Sequence, residues 1–446
     1  MNAIPTLDLG DIQGPILRRR PAPYYGTYAL LRIDNAADGR ELLRRLTPHV
    51  VSAADWDAGR DLWIAVVLTY AGLKALGVPP ASLDSFPIEM RDGMASRADA
   101  LGDTGESAPL HWQAPYGTGD IHLALTILAD TEDIWRQKLA LAEAQLSDLP
   151  GVAQLGRSDF AQLPGGRTTL GYKDGISFPN IAGTGSGAHP SRGSGPEIAA
   201  GEFILGYPGE AGTVLPMPHP EVLGRNGTFV GFRKLHTHVA AFRRFLRENS
   251  QDAVEEELLA AKMVGRWRSG APLALAPDRD DPALAEDGTR NNEFDYADDP
   301  NGLRCPFGSH IRRNYPRETD MPVLTDVNLH RIIRHGTTYG PLLPEGILED
   351  DGAERGIFFI FMSARAPKTF EFLKSHWIND GNFLGLGTEK DPLAGNHDGT
   401  GTFTIPKRPI RRRLQGLSSF TLTRGGEYGF MPSLSALRWL GDLTDF

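Results

Sequence analysis

The chain has 446 residues, enough for about two or three domains of ordinary size, and its 40% hydrophobic and 23% charged residues are typical of a globular protein. The formal net charge of −10 argues against general nucleic-acid binding, because that function favours a basic face. A single cysteine, Cys305, excludes an intramolecular disulfide bond and suits a reducing compartment.

The N-terminal sequence and the hydrophobicity of the chain favour a soluble cytoplasmic protein. The first residues contain no positively charged segment followed by an apolar core, as a secretory signal would, and no twin-arginine pattern. No run reaches the roughly 18 apolar residues that span a bilayer. We interpret the arginine-rich residues 18–21 and 411–413 as solvated surface, and we expect neither a membrane nor a nucleic-acid partner.

The N-terminal part of the chain predicts elements in the order β-α-β-β-α-β. Residues 120–130 alternate between apolar and polar side chains, as a half-buried strand does, and residues 131–146 form an amphipathic helix with Asp130 as its N-cap. The other predicted elements are strands at residues 28–34, 61–70 and 151–160 and a helix at residues 39–46. This order is typical of a ferredoxin-like unit, an antiparallel sheet with helices packed on one face.

Residues 161 to about 225 are rich in Gly, Pro and Ser, most of all in the stretch GTGSGAHPSRGSGP. We interpret them as a long irregular connection. Such length inside a compact protein is more often functional than idle.

The C-terminal half repeats the pattern of the first. Its predicted elements are strands at residues 228–239, 330–340 and 356–364, helices at residues 240–249, 253–267 and 368–379, and a hairpin at residues 419–432. We therefore expect an α+β protein with two ferredoxin-like halves, each an antiparallel sheet with peripheral helices. The predicted domains are residues 1–225, including the irregular connection, and residues 226–446.

The stretch GYKDGISFPN (residues 171–180) places a carboxylate between glycines and close to apolar residues. Asp174 lies between Gly171 and Gly175, and the apolar Ile176 and Phe178 follow. Glycine permits a bent backbone, and a solvated loop aspartate rarely lies so close to apolar residues. Asp174 is therefore a candidate functional residue, and its local sequence alone leaves its role open.

The twelve histidines invite a search for a metal site. His236 and His238 share one face of a predicted strand, but a zinc site needs three or four converging ligands. We interpret this pair as surface or packing residues.

His310 is a stronger candidate for binding a metal. It lies in CPFGSHIRRNYPR (residues 305–317), after a proline-bounded turn and before three arginines. Histidine can ligate iron, and arginine binds carboxylates bidentately, so the pattern suits a haem with its axial position and two propionates. A structural histidine is the alternative interpretation.

Arg334 lies in HRIIRHGTTYG (residues 330–340), where an apolar strand meets a glycine turn. A surface-facing strand arginine is the plain interpretation of this residue when it is considered alone.

Taken in order, the segments GYKDGISFP, CPFGSHIRRNYPR and RIIRHGTTYG resemble those of the dye-decolourising peroxidases. The first carries the family's G-x-x-D-G pattern at Gly171, Asp174 and Gly175. Further similar segments, among them DIQGPIL, NGTFVGFRKL and GGEYGFMPSLSAL, extend the resemblance over nearly the whole chain. The long chain without a leader resembles the larger, bacterial C-type branch, which is also called V-type.

The resemblance implies one b-type haem per chain, between the two ferredoxin-like halves. His310 would be the axial ligand of the haem iron. Asp391, in the segment DPLAG, would accept a hydrogen bond from the other ring nitrogen of His310. Arg312, two residues after His310, would contact the cofactor.

The resemblance also implies the distal side of the haem pocket. Asp174 and Arg334 would be the catalytic pair, and Ile357 and Phe359 of the segment GIFF would form apolar walls. His335 is a departure, because many relatives have arginine at that position. It raises the question of whether a second titrating group touches the access channel.

The function that the resemblance implies is that of a haem peroxidase. It would reduce hydrogen peroxide and oxidise bulky, electron-rich small molecules, such as dyes and phenolics, in one-electron steps. The alternative is a haem-binding protein for storage, sensing or iron release, which would need neither Asp174 nor Arg334. A non-haem hydrolase lacks support, because no G-x-S-x-G motif is present.

Several properties stay open at this level. The physiological reductant and any oxidation of Mn(II) have no clear sequence signal. Trp377 and Tyr339 are candidates for relaying electrons, with core packing as the alternative for each. A homodimer is the oligomeric state that the resemblance suggests.

Overall fold

The structure is a computed structural model that describes residues 6–56, 62–184, 195–317 and 326–444. Its strands are β1 (Tyr25–Ile33), β2 (Leu62–Leu68), β3 (Leu123–Ala129), β4 (Val152–Ala161), β5 (Asn180–Ile181), β6 (Glu197–Ile198), β7 (Thr228–Thr237), β8 (Ile333–Tyr339), β9 (Gly356–Ser363), β10 (Asp398–Ile405), β11 (Arg412–Ser418) and β12 (Thr421–Met431). Its α-helices are α1 (Ala36–Leu46), α2 (Tyr70–Ala75), α3 (Pro80–Leu83), α4 (Ile88–Asp92), α5 (Ala98–Leu101), α6 (Glu132–Ser147), α7 (Glu221–Gly224), α8 (Val239–Glu248), α9 (Ala253–Val264), α10 (Pro282–Glu286), α11 (His310–Asn314), α12 (Ala366–Phe372) and α13 (Leu434–Gly441).

Eight of the strands form one sheet in the order β4-β1-β3-β2-β12-β7-β9-β8. Each half of the sheet has its fourth, first, third and second strand side by side, which is the ferredoxin-like arrangement, and all neighbouring strands are antiparallel. The predicted α+β class with two ferredoxin-like halves is confirmed. The halves join where β12 pairs with β2 at Phe430 and Leu68. The domain boundary at residues 225 and 226 stays a prediction.

The helix α6 begins at Glu132, one residue later than the predicted N-cap Asp130 would place it. Thr131 has extended backbone angles, and its Oγ1 accepts a hydrogen bond from Ile134 N at 3.4 Å. Thr131, and not Asp130, is therefore the N-cap.

The predicted hairpin at residues 419–432 is wrong, because β12 runs through it as one strand. The glycines in the middle of β12 do not form a turn. They allow side chains of other segments to pack closely against the strand. A Cβ on Gly425 would lie 2.3 Å from the ring of Tyr116, and a Cβ on Gly426 would lie 2.3 Å from the sulfur of Met94. A bulge between Thr423 and Gly425 accommodates the close approach.

The connection after β4 is irregular in its described parts, residues 162–184 and 195–227, as predicted. The regular structure in these parts consists of the two-residue strands β5 and β6, which pair in parallel, the short α7, and two 3₁₀ turns at Pro164–Gly166 and Ala200–Glu202. Most of the glycine-rich stretch from residue 183 lies outside the described residues. None of the helices in the described part of the chain is long and apolar enough to cross a membrane.

Candidate active site

A cavity of about 380 Å³ lies against β7, β8, β9 and β12, on the C-terminal half of the sheet. The predicted site residues Asp174, His310, Arg334, Ile357 and Phe359 all line it. A volume of this size is typical of sites for small molecules and cofactors. The structure thus brings five predicted residues from distant parts of the chain to one cavity.

His310 is the first residue of α11. The residue before it, Ser309, is fully buried and donates a hydrogen bond from Oγ to Lys262 O at 2.5 Å, which fixes the start of the helix. The His310 ring lies 33% exposed at the cavity wall, and its Nδ1 lies 2.8 Å from Asp391 Oδ2.

Asp391 is fully buried and surrounded by donors. Its Oδ1 accepts hydrogen bonds from Leu393 N and Ala394 N, each at 2.9 Å, and its Oδ2 accepts from His310 Nδ1 and from Asn314 Nδ2 at 3.0 Å. Burial opposes the charge of this carboxyl, but the His310 ring and its hydrogen bond outweigh burial and hold the Asp391 pKa well below its usual range. An ionised Asp391 requires the proton of His310 to be on Nδ1, which leaves the lone pair on Nε2.

Asp174 and Arg334 form an ion pair at the same cavity, with Arg334 Nη2 3.2 Å from Asp174 Oδ1. Burial alone would raise the Asp174 pKa, but the Arg334 charge and the Gly175 N–H lower it below its ordinary value. The strand β8 makes room for the carboxylate at Gly336, where a Cβ would lie only 3.2 Å from Asp174 Oδ2. Side chains alternate along a strand, so residues 334 and 336 share the face of β8 that meets Asp174.

His335 lies on the opposite face of β8 and does not line the cavity. Its side chain is buried, and its Nε2 donates to Pro15 O at 2.7 Å. Burial lowers the pKa of His335 to about 3, with a further contribution from the charge of Arg20, so the ring is neutral near pH 7. This position therefore does not add a titrating group to the cavity.

Arg312 does not reach the cavity, contrary to the role implied for it. Its guanidinium is fully buried, pairs with Asp299 Oδ2 at 2.9 Å and donates to Cys305 O at 2.6 Å. The ring centroids of Tyr296 and Phe307 lie 4.3 Å and 4.4 Å from its Cζ. These contacts hold the turn before His310, and they leave Arg312 unable to face a cofactor.

Four other arginines line the cavity instead. Arg233 is paired with Asp103, and the remaining three are Arg266, Arg317 and Arg331. Arg266 donates to the carbonyls of Gly270 and Asn291, and Arg331 lies against the ring of Tyr315, with its Cζ 3.7 Å from the centroid. Within the described residues, none of the three arginines forms an ion pair with a carboxylate. Arginine stays charged in proteins, so this wall is suited to an anionic group.

Arg317 is one of the three arginines after His310 whose pattern suited haem propionates, whereas no site role was predicted for Arg266 or Arg331. Arg317 closes the segment CPFGSHIRRNYPR, Arg331 precedes β8, and Arg266 follows the C-terminal glycine of α9. Each lies just outside a regular element, where a sequence pattern gives no side-chain direction.

Trp377 and Tyr339 are both buried. Trp377 lies in a π-helical turn, Leu373–Ile378, edge-on to the rings of His330 and Phe372. The Tyr339 hydroxyl donates to Leu235 O at 3.2 Å. Both residues take part in core packing, which was the alternative to electron relay.

His236 and His238 contact each other edge to face, with ring centroids 4.8 Å apart. Burial lowers the pKa of both rings. That they serve packing and not metal binding stays a prediction.

Comparisons with known proteins agree with the fold and the site. A scan against models of protein families finds no match. The dye-decolorizing peroxidase msp1 of Mycetinis scorodonius is 32% identical over 465 residues, covering 97% of this chain and 87% of that protein. A solved ancestral D-type dye-decolorizing peroxidase superimposes with a TM-score of 0.85 at 30% identity, covering 97% of this chain and 99% of the other. A dye-decolorizing peroxidase solved with 2,6-dimethoxyphenol has a TM-score of 0.85 at 27% identity, covering 98% of this chain and 100% of the other.

The fold and the comparisons define a haem-dependent peroxidase. The chain belongs to the dye-decolourising peroxidase family, as its motifs predict. Its membership of the C-type branch stays a prediction.

The residues at the cavity fit a haem. His310 offers an Nε2 lone pair to iron, and Ile357 and Phe359 offer apolar surface to the macrocycle. The positive wall formed by Arg266, Arg317 and Arg331 complements the two propionates of the cofactor.

Proposed function

We propose that this peroxidase uses Asp174 and Arg334 as its catalytic pair and His310 as the axial ligand of its haem. The observation that carries the proposal is the Asp174–Arg334 ion pair at 3.2 Å in the cavity that His310 also lines. A protein that only stores, senses or degrades haem needs no acid–base pair of this kind. We therefore favour turnover of peroxide over haem carriage.

The haem is held by groups of three kinds in this account. His310 Nε2 would bind the iron, the arginines at 266, 317 and 331 would face the propionates, and Ile357 and Phe359 would contact the ring, since all of them line the cavity. When bound, haem supplies the redox chemistry that reduces hydrogen peroxide and oxidises one-electron donors. The protein supplies orientation, charge and proton transfer.

Asp174 moves the proton. Its carboxylate accepts the proton from one oxygen of hydrogen peroxide and delivers it to the other oxygen, which leaves as water. Because its pKa is below the ordinary value near 4, Asp174 is ionised and basic even at acid pH. A histidine in this place would be protonated there.

Arg334 stabilises charge. Its guanidinium lies beside the carboxylate that receives the proton, and it is cationic at every relevant pH. A cation held beside the carboxylate stabilises the negative charge that develops as the O–O bond breaks.

Asp391 acts through His310. By accepting the hydrogen bond of Nδ1, it fixes the ring orientation and the tautomer, and its negative charge makes Nε2 a stronger electron donor. Asp391 is in this sense a positioning residue, because it contacts neither peroxide nor cofactor.

The reductants we propose are electron-rich aromatic compounds, dyes and phenols. One structural relative was solved with 2,6-dimethoxyphenol, which supports phenols as a class. Whether Mn(II) is also a reductant is a question for the same assay, with Mn(II) in place of the dye.

We also propose a cytoplasmic homodimer without nucleic-acid or membrane partners. The net charge of −10 supports the first absence, and the single buried cysteine is compatible with a reducing compartment. Cell fractionation and light scattering of the purified protein test the location and the oligomeric state.

One experiment tests the proposed function as a whole. The protein is purified with haem, recognised by a Soret band, and mixed with hydrogen peroxide and an anthraquinone dye. We expect dye loss that requires both peroxide and haem. A haem-bound protein that neither consumes peroxide nor oxidises the dye would favour haem carriage instead.

A further inference from the structure

Two neighbouring arginines of the N-terminal segment contact the backbone on both sides of the catalytic pair. Arg19 Nη2 donates to Ile176 O at 3.1 Å, two residues after Asp174. Arg20 Nη1 donates to Gly336 O at 3.2 Å, and its Nη2 donates to His335 O at 3.2 Å. The carbonyls of His335 and Gly336 belong to the strand that carries Arg334.

These arginines were interpreted from the sequence as solvated surface, which the structure contradicts. Arg20 lies among aromatic rings, with its Cζ 5.5 Å from the centroids of Tyr24 and Phe160, and its Nη2 donates a short hydrogen bond to the Tyr28 hydroxyl. Arg19 lies over the ring of Phe178 at 5.7 Å. Cation–π contacts and hydrogen bonds on several sides hold both side chains in place.

The two arginines also bring charge. Within the described residues, neither Arg19 nor Arg20 forms an ion pair with a carboxylate, although both lie close enough to Asp174 to interact with its charge. Burial lowers the pKa of Arg19 to about 10, with a further lowering by Arg334 and an opposing effect of Asp174. Arg19 is therefore cationic at the pH values where the enzyme works, and arginine side chains in general stay charged in proteins.

The charged and titratable groups around Asp174 come from several elements. Lys173, beside it on the same segment, is paired with Glu286, and His335 on the far face of β8 is neutral near pH 7. The positive charges are Arg334 on β8, Arg19 and Arg20 on the N-terminal segment, and Arg266 after α9, which interacts with Arg334. Of these, the charges of Arg334 and Arg20 lower the pKa of Asp174.

We propose that Arg20, assisted by Arg19, is a positioning residue that ties the strand of Arg334 to the segment of Asp174 and places a positive charge behind the catalytic carboxylate. The proposal rests on the proposed function, because it concerns the same catalytic pair. It assigns Arg19 and Arg20, which precede β1 in the N-terminal half of the chain, a part in catalysis on the C-terminal half.

The test compares two substitutions of Arg20 in the haem-loaded protein. Arg20→Met removes the charge and the hydrogen bonds, whereas Arg20→Lys keeps the charge but lacks the planar fork that reaches three acceptors. The control is Arg18→Met, because Arg18 is a neighbouring buried arginine that donates to Ala53 O at 2.9 Å and touches neither catalytic segment.

The rate of reaction with hydrogen peroxide is measured by stopped flow at the Soret band over a range of acid to neutral pH. The acid limb is the pH range in which the rate falls as Asp174 becomes protonated. In Arg20→Met, the midpoint of this limb should shift to higher pH by about 0.5 unit or more, because the loss of a positive charge raises the pKa of Asp174. The plateau rate should fall at least about fivefold in both Arg20 variants, through lost alignment of the pair. In Arg20→Lys the acid limb should stay within about 0.2 pH unit of the parent, since the charge is kept.

A second measurement does not depend on turnover. The affinity for cyanide is measured from the shift of the Soret band. Cyanide binding also requires a group that takes the proton of hydrogen cyanide. In Arg20→Met, the acid limb of the cyanide affinity should therefore move in the same direction as the acid limb of the peroxide reaction. If the parent does not react with peroxide, the proposed function fails, and the cyanide titration still decides the role of Arg20.

The outcome that overturns the proposal is an Arg20→Met protein whose two acid limbs and plateau rate match those of the parent and of Arg18→Met. If Arg20→Met fails to fold or to bind haem, the Arg20→Lys variant decides the matter. A plateau rate in Arg20→Lys within about twofold of the parent would then contradict the positioning role.

Discussion

The Nδ1 of His310 and the Oδ2 of Asp391 lie 2.8 Å apart, although 81 residues separate them in the chain. The carboxylate is fully buried, and backbone and side-chain donors satisfy both of its oxygens. A buried anion so well satisfied fixes the histidine ring and the position of its proton. This contact would keep the His310 ring in a fixed orientation for the iron-binding role that we propose, although α11 is only five residues long.

The first prediction concerns the axial ligand. His310→Ala should lose most of its haem, because the iron loses its only strong protein ligand in this account. Haem content per chain, from the Soret absorbance against total protein, checks this. His376→Ala is the matched control, since His376 is exposed and outside the cavity, and it should keep the haem content of the parent. Full haem content with an unchanged spectrum in His310→Ala would remove His310 from the ligand role.

The second prediction concerns Asp391 and the haem potential. Asp391→Asn preserves the shape of the side chain but removes the negative charge behind His310. The midpoint potential of the haem iron should rise by about 60 mV or more, which is a tenfold change for a one-electron couple. Spectroelectrochemical titration measures it. An unchanged potential would mean that the Asp391 charge does not act through the ring.

The third prediction concerns pH and stability. The pKa of Asp391 in the folded protein is below its unfolded value of about 3.9, so its contribution to stability is complete above that value and is lost as pH falls through the folded pKa. The difference in Tm between the parent and Asp391→Asn should therefore be constant from neutral pH to about pH 4 and should shrink below it. Calorimetry of the haem-loaded proteins checks this. A difference that grows on acidification would contradict the direction of the pKa shift.

The fourth prediction uses the glycine of β8. In Gly336→Ala, the new Cβ would lie 3.2 Å from Asp174 Oδ2, closer than a relaxed contact, so the carboxylate must shift. The peroxide reaction should slow by about tenfold, or ~1.4 kcal/mol of barrier, while haem stays bound. Gly156→Ala is the control, because that glycine is also in a strand and its Cβ would meet only the Pro115 ring, at 3.9 Å. Equal rates in the two variants would show that Asp174 needs no space at this position.

The catalytic candidates were predictable because each lies in a short ordered motif. Asp174 lies between glycines, His310 follows a proline turn, and Arg334 lies two residues before a glycine. The order of these three segments resembles the family, and that resemblance, not any one pattern alone, predicted a shared site. Their meeting in one cavity depends on the ferredoxin-like arrangement, which the alternation of strands and helices also predicted.

Arg312 shows where a local pattern misleads. The helix α11 begins at His310, and each residue of a helix turns by about 100°. Arg312 therefore points about 200° away from His310, toward Asp299, whereas Asn314, four residues on, returns to the same side and contacts Asp391. The sequence contained the arginine but gave no indication that a helix starts at the histidine.

The arginines at residues 18–20 were misjudged for a different reason. A run of like charges is usually solvated, and its burial depends on aromatic rings and carbonyls that come from other segments. Tyr24, Phe160 and the carbonyl of Gly336 surround Arg20 only in the folded chain. Tertiary contacts of this kind have no local sequence signal.

The measurement that tests the central claim most directly is the rate of the peroxide reaction in Asp174→Asn, compared with that of the parent by stopped flow from acid to neutral pH. The asparagine keeps the size of the side chain but cannot take a proton. The account predicts that Asp174→Asn binds haem normally and reacts at least about a hundredfold more slowly at every pH, as expected for the loss of a general base. His335 cannot replace the base, because its ring faces away from the cavity and donates to Pro15 O. If Asp174→Asn reacts with peroxide as fast as the parent, Asp174 is not the base and the central claim is wrong.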